Sequence, residues 1–321
     1  MAKEWRVPWF QACLAAASIS ALASCGASND PGSGGGSNGG GTDPGSFQPD
    51  FVDNLNPTPN GGGGRPGPGG SGSEFGSGCK KVDLVFTVDN SSSMTEEREA
   101  LARDVFPAFA KALKNVGGGL EDYRVGVADA CPSPASLHVK GTGGACNFDG
   151  GQVWMQSSSP KLDQEFACVG AIDSSDVQCS GNNDDEQPAS AATAIVEASL
   201  TGKGNVGFVR KDALLVIVAI TDEDEQPAPR ASVEELFNRM KALKGNDVSR
   251  MVFLGIGGAT DCRGVYGSAD EAETLKELTG RFEAANRGVF WDLCTGRLED
   301  GLTKAMTVIN QACEQFTPVV L

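Results

Sequence analysis

The chain has 321 residues, with 43 Gly, 16 Pro, 10 Cys, one His and a net charge of −16. A surface this acidic repels nucleic acid and anionic lipid, so a polyanion partner is excluded and a cation is a natural ligand. The single histidine, His138, excludes a multi-His metal centre and leaves a Ser-His-Asp or Cys-His mechanism only one candidate base.

Residues 1–24 carry Lys3 and Arg6 before a short apolar run interrupted by Pro8 and Gln11, which suits a signal peptide better than a spanning helix. The run ends Leu22-Ala23-Ser24-Cys25, which resembles the bacterial lipobox. That resemblance implies a lipoprotein signal peptide over 1–24 and a mature N-terminus at a lipidated Cys25, with the chain exported and held to a membrane through its lipid alone. Gly26, standing where an Asp would signal inner-membrane retention, points to the outer membrane. Residues 26–78 hold 19 Gly and 7 Pro, about half the segment, and cannot build a core. With Cys25 they form a disordered tether whose span is on the order of 40 Å. This leaves one folded domain over 79–316, with a short tail over 317–321. Residues 79–321 carry 23 basic and 36 acidic side chains.

Within that domain, 82–88 reads as a buried strand and 95–116 as a helix that Pro107 must kink or split. A second strand covers 123–128. The following 129–181 are irregular and rich in Gly, Ser and Cys; 137–140 and 152–155 suit the two arms of a hairpin, with His138 on its surface, and 163–170 a short helix. An Ala-rich helix runs over 188–200 with Pro188 in its first turn. Residues 214–220, LLVIVAI, are apolar without alternation, as in the middle of a parallel sheet. Ser232 and Glu235 read as a capping box for a helix to Leu243. Strand 250–256, helix 270–278, strand 288–292 and helix 298–315 complete the chain. Gly255-Ile256-Gly257-Gly258 lacks the Lys and spacing of a phosphate loop and reads as a turn. Repeated alternation of strand and helix predicts an α/β fold, doubly wound, with a mostly parallel central sheet flanked by helices.

With Cys13 in the leader and Cys25 lipidated, eight cysteines remain: Cys79, Cys131, Cys146, Cys168, Cys179, Cys262, Cys294 and Cys313. An even number in an exported chain reads as four disulfides. Of 105 pairings, Cys79–Cys313 is expected because these residues flank the domain. Cys131–Cys146 and Cys168–Cys179 are expected as local pairs, which leaves Cys262–Cys294.

In a doubly wound sheet, ligands sit beyond the carboxyl ends of the strands. The first strand there delivers Asp89-Asn90-Ser91-Ser92-Ser93, and the central strand delivers Thr221-Asp222-Glu223-Asp224-Glu225. Both are runs of hard oxygen donors, suited to a small divalent cation: Mg²⁺ or Mn²⁺ first, with Ca²⁺ open. Each run alone also reads as an ordinary helix cap or solvated loop.

The Asp-x-Ser-x-Ser after a first buried strand, with Asp222 after the central one, resembles the von Willebrand factor type A domain over about 79–316. The leader, tether and cysteines together resemble surface lipoproteins of myxobacteria-like deltaproteobacteria. The family resemblance implies a Rossmann-like sheet and a metal-ion-dependent adhesion site. In that site Ser91 and Ser93 would bind metal directly, and Asp89 and Asp222 through water. The family's usual threonine is replaced by Glu186, and Thr193 lies too far along the helix to substitute. A ligating Glu186 would give the loaded site a net charge of about −1, binding metal more tightly and acidic partners more weakly.

The function expected is therefore a membrane-anchored binding or adhesion module, not an enzyme, recognising a protein or cell-surface ligand. It would bind no nucleic acid and have no transmembrane helix in the mature chain. Residues 129–181 are the expected seat of specificity. Two alternatives remain: a metal-dependent hydrolase or phosphoryl-transfer enzyme, and a structural envelope lipoprotein without metal-dependent binding.

Overall fold

The computed structural model describes residues 78–114, 116, 120, 122–172, 186–227 and 230–317. The leader, Cys25 and the tether lie outside these residues, as do Cys179 and 318–321.

The chain enters through β1 (Lys81–Val88), whose residues from Val82 onward are buried. It continues through α1 (Thr95–Ala100), one wide π turn (Leu101–Val105) and α2 (Phe106–Leu113). Pro107 thus sits in the first turn of α2. The widened turn before it absorbs the missing N–H and the clash with the preceding turn, so the expected long helix becomes two. Strand β2 (Asp122–Asp129) follows, then the two-residue strands β3 (Lys140–Gly141), β4 (Gly144–Ala145) and β5 (Met155–Gln156). Helices α3 (Leu162–Gly170) and α4 (Pro188–Thr201) lead to β6 (Leu214–Ile220). The remainder is α5 (Val233–Leu243), β7 (Met251–Gly257), β8 (Cys262–Gly264), β9 (Gly267–Ala269), α6 (Glu273–Glu283), β10 (Gly288–Asp292) and α7 (Leu298–Glu314).

The main sheet has six strands in the order β10-β7-β6-β1-β2-β5. All pairs are parallel except β5, which runs antiparallel along β2. The order of the connections reverses between β1 and β6. Alternate residues of the central strands face opposite layers. Leu84 and Phe86 pack with Phe106, Phe109 and Phe166 from α2 and α3, and with Leu302 and Ile309 from α7. Val85, Leu215 and Ile217 pack with Ile195, Leu236, Leu275 and Phe282 from α4, α5 and α6. The expected doubly wound fold is therefore present. Ser232 caps α5 as its sequence implies, its hydroxyl accepting from the Glu235 N–H at 3.2 Å. Gly202 closes α4 at φ 73°, a left-handed conformation natural to glycine.

Four local expectations are corrected. Residues 137–140 and 152–155 do not pair: β3 turns back onto β4 within a few residues, while β5 joins the sheet edge at β2. His138 is buried rather than on the surface, because its backbone N–H pairs with Val127 O and its ring reaches Asp129. Cys146 pairs with Cys168, against both local disulfide guesses, because α3 lies against β3 and brings Cys168 over that small hairpin. Cys131 is disulfide-bonded as well. Residues 255–257 belong to β7 rather than to a turn. The pairs Cys79–Cys313 and Cys262–Cys294 are as expected.

At the amino end of the sheet, the fully buried Asp83 accepts from Arg210 Nε at 2.8 Å and from its backbone N–H. Arg210 also reaches Val82 O and Asp122 O. Lys244 Nζ donates to Arg210 O and Ala213 O at 2.9 and 2.6 Å. Replacing Asp83 by Ala leaves Arg210 without its buried counter-ion and is expected to cost about 3–5 kcal/mol in urea unfolding with disulfides intact. The apolar double variant D83L/R210M should cost less than D83A alone.

Burial pushes the Lys244 ammonium down to about 8 from 10.5. Between those values the unfolded chain binds more protons than the folded one, so stability rises with pH across that window. Lys244→Met should flatten that rise when unfolding is measured from pH 7 to 10.5.

Candidate functional site

Strands β1 and β6 run side by side in register, with Val88 opposite Ile220. The residues that follow them are therefore neighbours at the carboxyl edge, and Asp89 N–H donates to Ile220 O at 2.9 Å. The side chain of Asp89, 1% exposed, accepts from Ser91 N–H at 2.7 Å through Oδ1 and from Thr221 Oγ1 at 3.0 Å through Oδ2. The hydroxyls of Ser91 and Ser93 lie 2.9 Å apart. The Ser93 hydroxyl favours the ionised form of the Asp222 carboxylate. Two hydroxyls thus stand between two buried carboxylates. Asp222 Oδ1 is buried with no hydrogen-bond partner among the described residues.

Glu186, 4% exposed, enters from the segment before α4. Its backbone pairs with that of Gln226 in an isolated antiparallel bridge, N–H to O at 2.9 and 3.2 Å. Its Oε2 accepts from Gln226 Nε2 at 2.6 Å. Thr193 is buried and donates its hydroxyl to Ala189 O, so it is spent within α4.

One carboxylate was not singled out in the sequence. Glu97, in the first turn of α1, is 2% exposed and its Oε2 has no partner among the described residues. The neighbouring pair Glu96-Glu97 reads as helix N-terminal acids, which conceals an inward-facing member. Burial lifts all four carboxyls. Asp89 is raised, burial outweighing its hydrogen bonds. Asp222 rises to about 6 through burial and then the Asp89 charge. Glu97 rises to about 7 through burial, with Asp222 and Asp89 adding to it. Glu186 rises to about 8 through burial and the charges of Asp89 and Glu223, against the Gln226 bond. None of the four forms an ion pair among the described residues. Among the described residues, no three carboxylates bring oxygens within 4.8 Å of one another.

The acidic run after β6 divides its labour. Thr221 holds Asp89, and Asp222 and Glu223 face the site. Asp224 accepts from Thr274 N–H at 2.8 Å at the start of α6. Glu225, 1% exposed, accepts from the N–H groups of Ala189 and Ser190 at 2.6 and 3.0 Å and from Ser190 Oγ at 2.7 Å, capping α4. Cys262, Asp292 and Cys294 also lie together, but the two sulfurs form a disulfide and Asp292 Oδ1 accepts from Cys294 N–H at 3.1 Å. That cluster offers no thiolate.

No protein-family model and no curated protein matches the chain. Among solved structures, proximal thread matrix protein 1 from the mussel byssus is similar at 13% identity and a TM-score of 0.43, over 72% of this chain and 48% of that one. The chain thus corresponds to about half the length of that protein. The manganese-loaded Plasmodium vivax TRAP protein is similar at 11% identity and a TM-score of 0.36, over 73% and 74% of the two chains.

Replacing Glu225 by Ala strands two N–H groups of α4, at a cost of about 1–3 kcal/mol. Hydrogen exchange should accelerate at Ala189 and Ser190 in this variant and at Thr274 in Asp224→Ala. Equal loss at both helices in either variant would contradict the division.

Proposed function

We propose that this chain is an exported, lipid-anchored binding module whose recognition site is built on a divalent cation, Mg²⁺ or Mn²⁺. The supporting observation is the partnerless buried oxygen of Asp222 beside the paired hydroxyls of Ser91 and Ser93. Ser91 and Ser93 would hold the ion directly, with Asp89 and Asp222 in the outer positions and Glu186 at the rim. The ion would supply a Lewis-acid position for an oxygen of a protein or cell-surface partner. The chain's own residues do the rest. Thr221 orients Asp89, the β1–β6 register fixes the carboxylate spacing, and Glu225 and Asp224 hold α4 and α6 around the edge.

A binding role is favoured over hydrolysis. His138 is engaged with Asp129 Oδ2 at 3.0 Å, and the site groups include no histidine to act as base. Disulfides suit an oxidising compartment. No helix among the described residues is long and apolar enough to cross a membrane. The lipid at Cys25 and the tether over 26–78 would then place the domain clear of a membrane surface, the outer membrane by the residue at position 26.

Thermal unfolding in chelator, Mg²⁺, Mn²⁺ and Ca²⁺ tests the site. At a hundred times Kd, a cation that binds only the folded chain should stabilise it by about 2.7 kcal/mol. Asp89→Ala should abolish the shift. A shift of equal size in that variant would overturn the assignment. Metal-dependent turnover of phosphate esters would replace the binding role with an enzymatic one.

A further inference from the structure

One neutral side chain at the rim touches two carboxylates. Gln226 Nε2 donates to Glu186 Oε2 at 2.6 Å and also to Glu223 Oε2. The carboxamide is placed there by its own backbone, through the Glu186–Gln226 bridge, and Gln187 Nε2 donates to Pro227 O at 3.0 Å beside it. Its N–H groups occupy carboxylate lone pairs that are then not available to a cation. A carboxamide carries no net charge, so it restrains both carboxylates without neutralising either.

We infer that Gln226 is an affinity-setting positioning residue, an internal competitor that holds Glu186 and Glu223 back from the cation. This rests on the proposed metal site and deepens it. With Glu186 tied to Gln226, the loaded centre carries one negative charge fewer than with Glu186 released onto the ion. The first state admits an acidic group of a partner, and the second repels it. The exchange of Glu186 between amide and ion therefore sets both cation affinity and the class of partner accepted.

The test is calorimetric titration of Mn²⁺ and Mg²⁺ into the full chain and its variants. Gln226→Met preserves side-chain length and the backbone bridge but removes both donors. It should bind Mn²⁺ about tenfold or more tightly than the parent, equivalent to about 1.4 kcal/mol. Glu186→Gln should cancel most of that gain in the double variant, so the two substitutions couple. In chelator, Gln226→Met should unfold at a lower temperature than the parent, since Glu186 and Glu223 then face each other unbridged. This readout does not depend on metal.

If the parent binds Mn²⁺, Asp89→Ala abolishes binding and Gln226→Met leaves the affinity unchanged or weaker, the metal site stands and the inference is overturned. Binding by Gln226→Met alone, dependent on Asp89, supports the inference in its extreme form. Binding by neither overturns both.

Discussion

The in-register pairing of β1 with β6 is the constraint on which the carboxyl edge depends. Each strand is buried on both faces, so neither can slip by a residue without turning a full row of aliphatic side chains toward the wrong helical layer. Because the register is locked by packing, Asp89 and Asp222 emerge side by side whatever their mutual repulsion. The hydrophobic layers thus offset the cost of placing two carboxylates at one low-dielectric edge. The two hydroxyls between them follow from the turn that Asp89 Oδ1 closes onto Ser91 N–H.

The same edge is tied to the helices by the five residues after β6. An acidic run of this kind would ordinarily be a solvated loop. Here the chain direction alternates its carboxylates between the site and two helix N-termini, where the partial positive charge of the free N–H groups receives them. Glu225 at α4 and Asp224 at α6 are therefore structural, and only Asp222 and Glu223 are left for chemistry. Movement of this loop would shift the starts of both helices along with the site.

The layer order, the central strands and the Ser232 cap were legible because periodicity and local capping depend on near neighbours. Asp89, Ser91, Ser93 and Asp222 were legible as candidates because strand ends are predictable once the strands are. Other features were set by tertiary contact. The Cys146–Cys168 pair depends on where α3 docks. His138 is drawn inside by Asp129, nine residues earlier in the chain. Glu97 looks like any acid in a helix's first turn until the fold decides which way it faces. Gln226 carries no motif at all, and its role appears only when the backbone bridge to Glu186 is seen.

The two ends of the sheet handle buried charge in opposite ways. At the amino end, Asp83 meets Arg210 in a multidentate contact, with Lys244 bonded to nearby carbonyls, so each buried charge has a partner within the chain. At the carboxyl end, Asp89, Glu97, Glu186 and Asp222 are also buried, yet no cation among the described residues pairs with them. Desolvating an unpaired carboxylate costs several kcal/mol, so the group must either take up a proton or find a positive charge. A fold able to place Arg210 against Asp83 has the means to pair such groups internally. At the carboxyl end it instead supplies hydroxyls, a neutral amide and helix caps, which orient carboxylates without bringing a positive charge to them. That choice of side chains fits the proposed site, whose positive charge would come from solution.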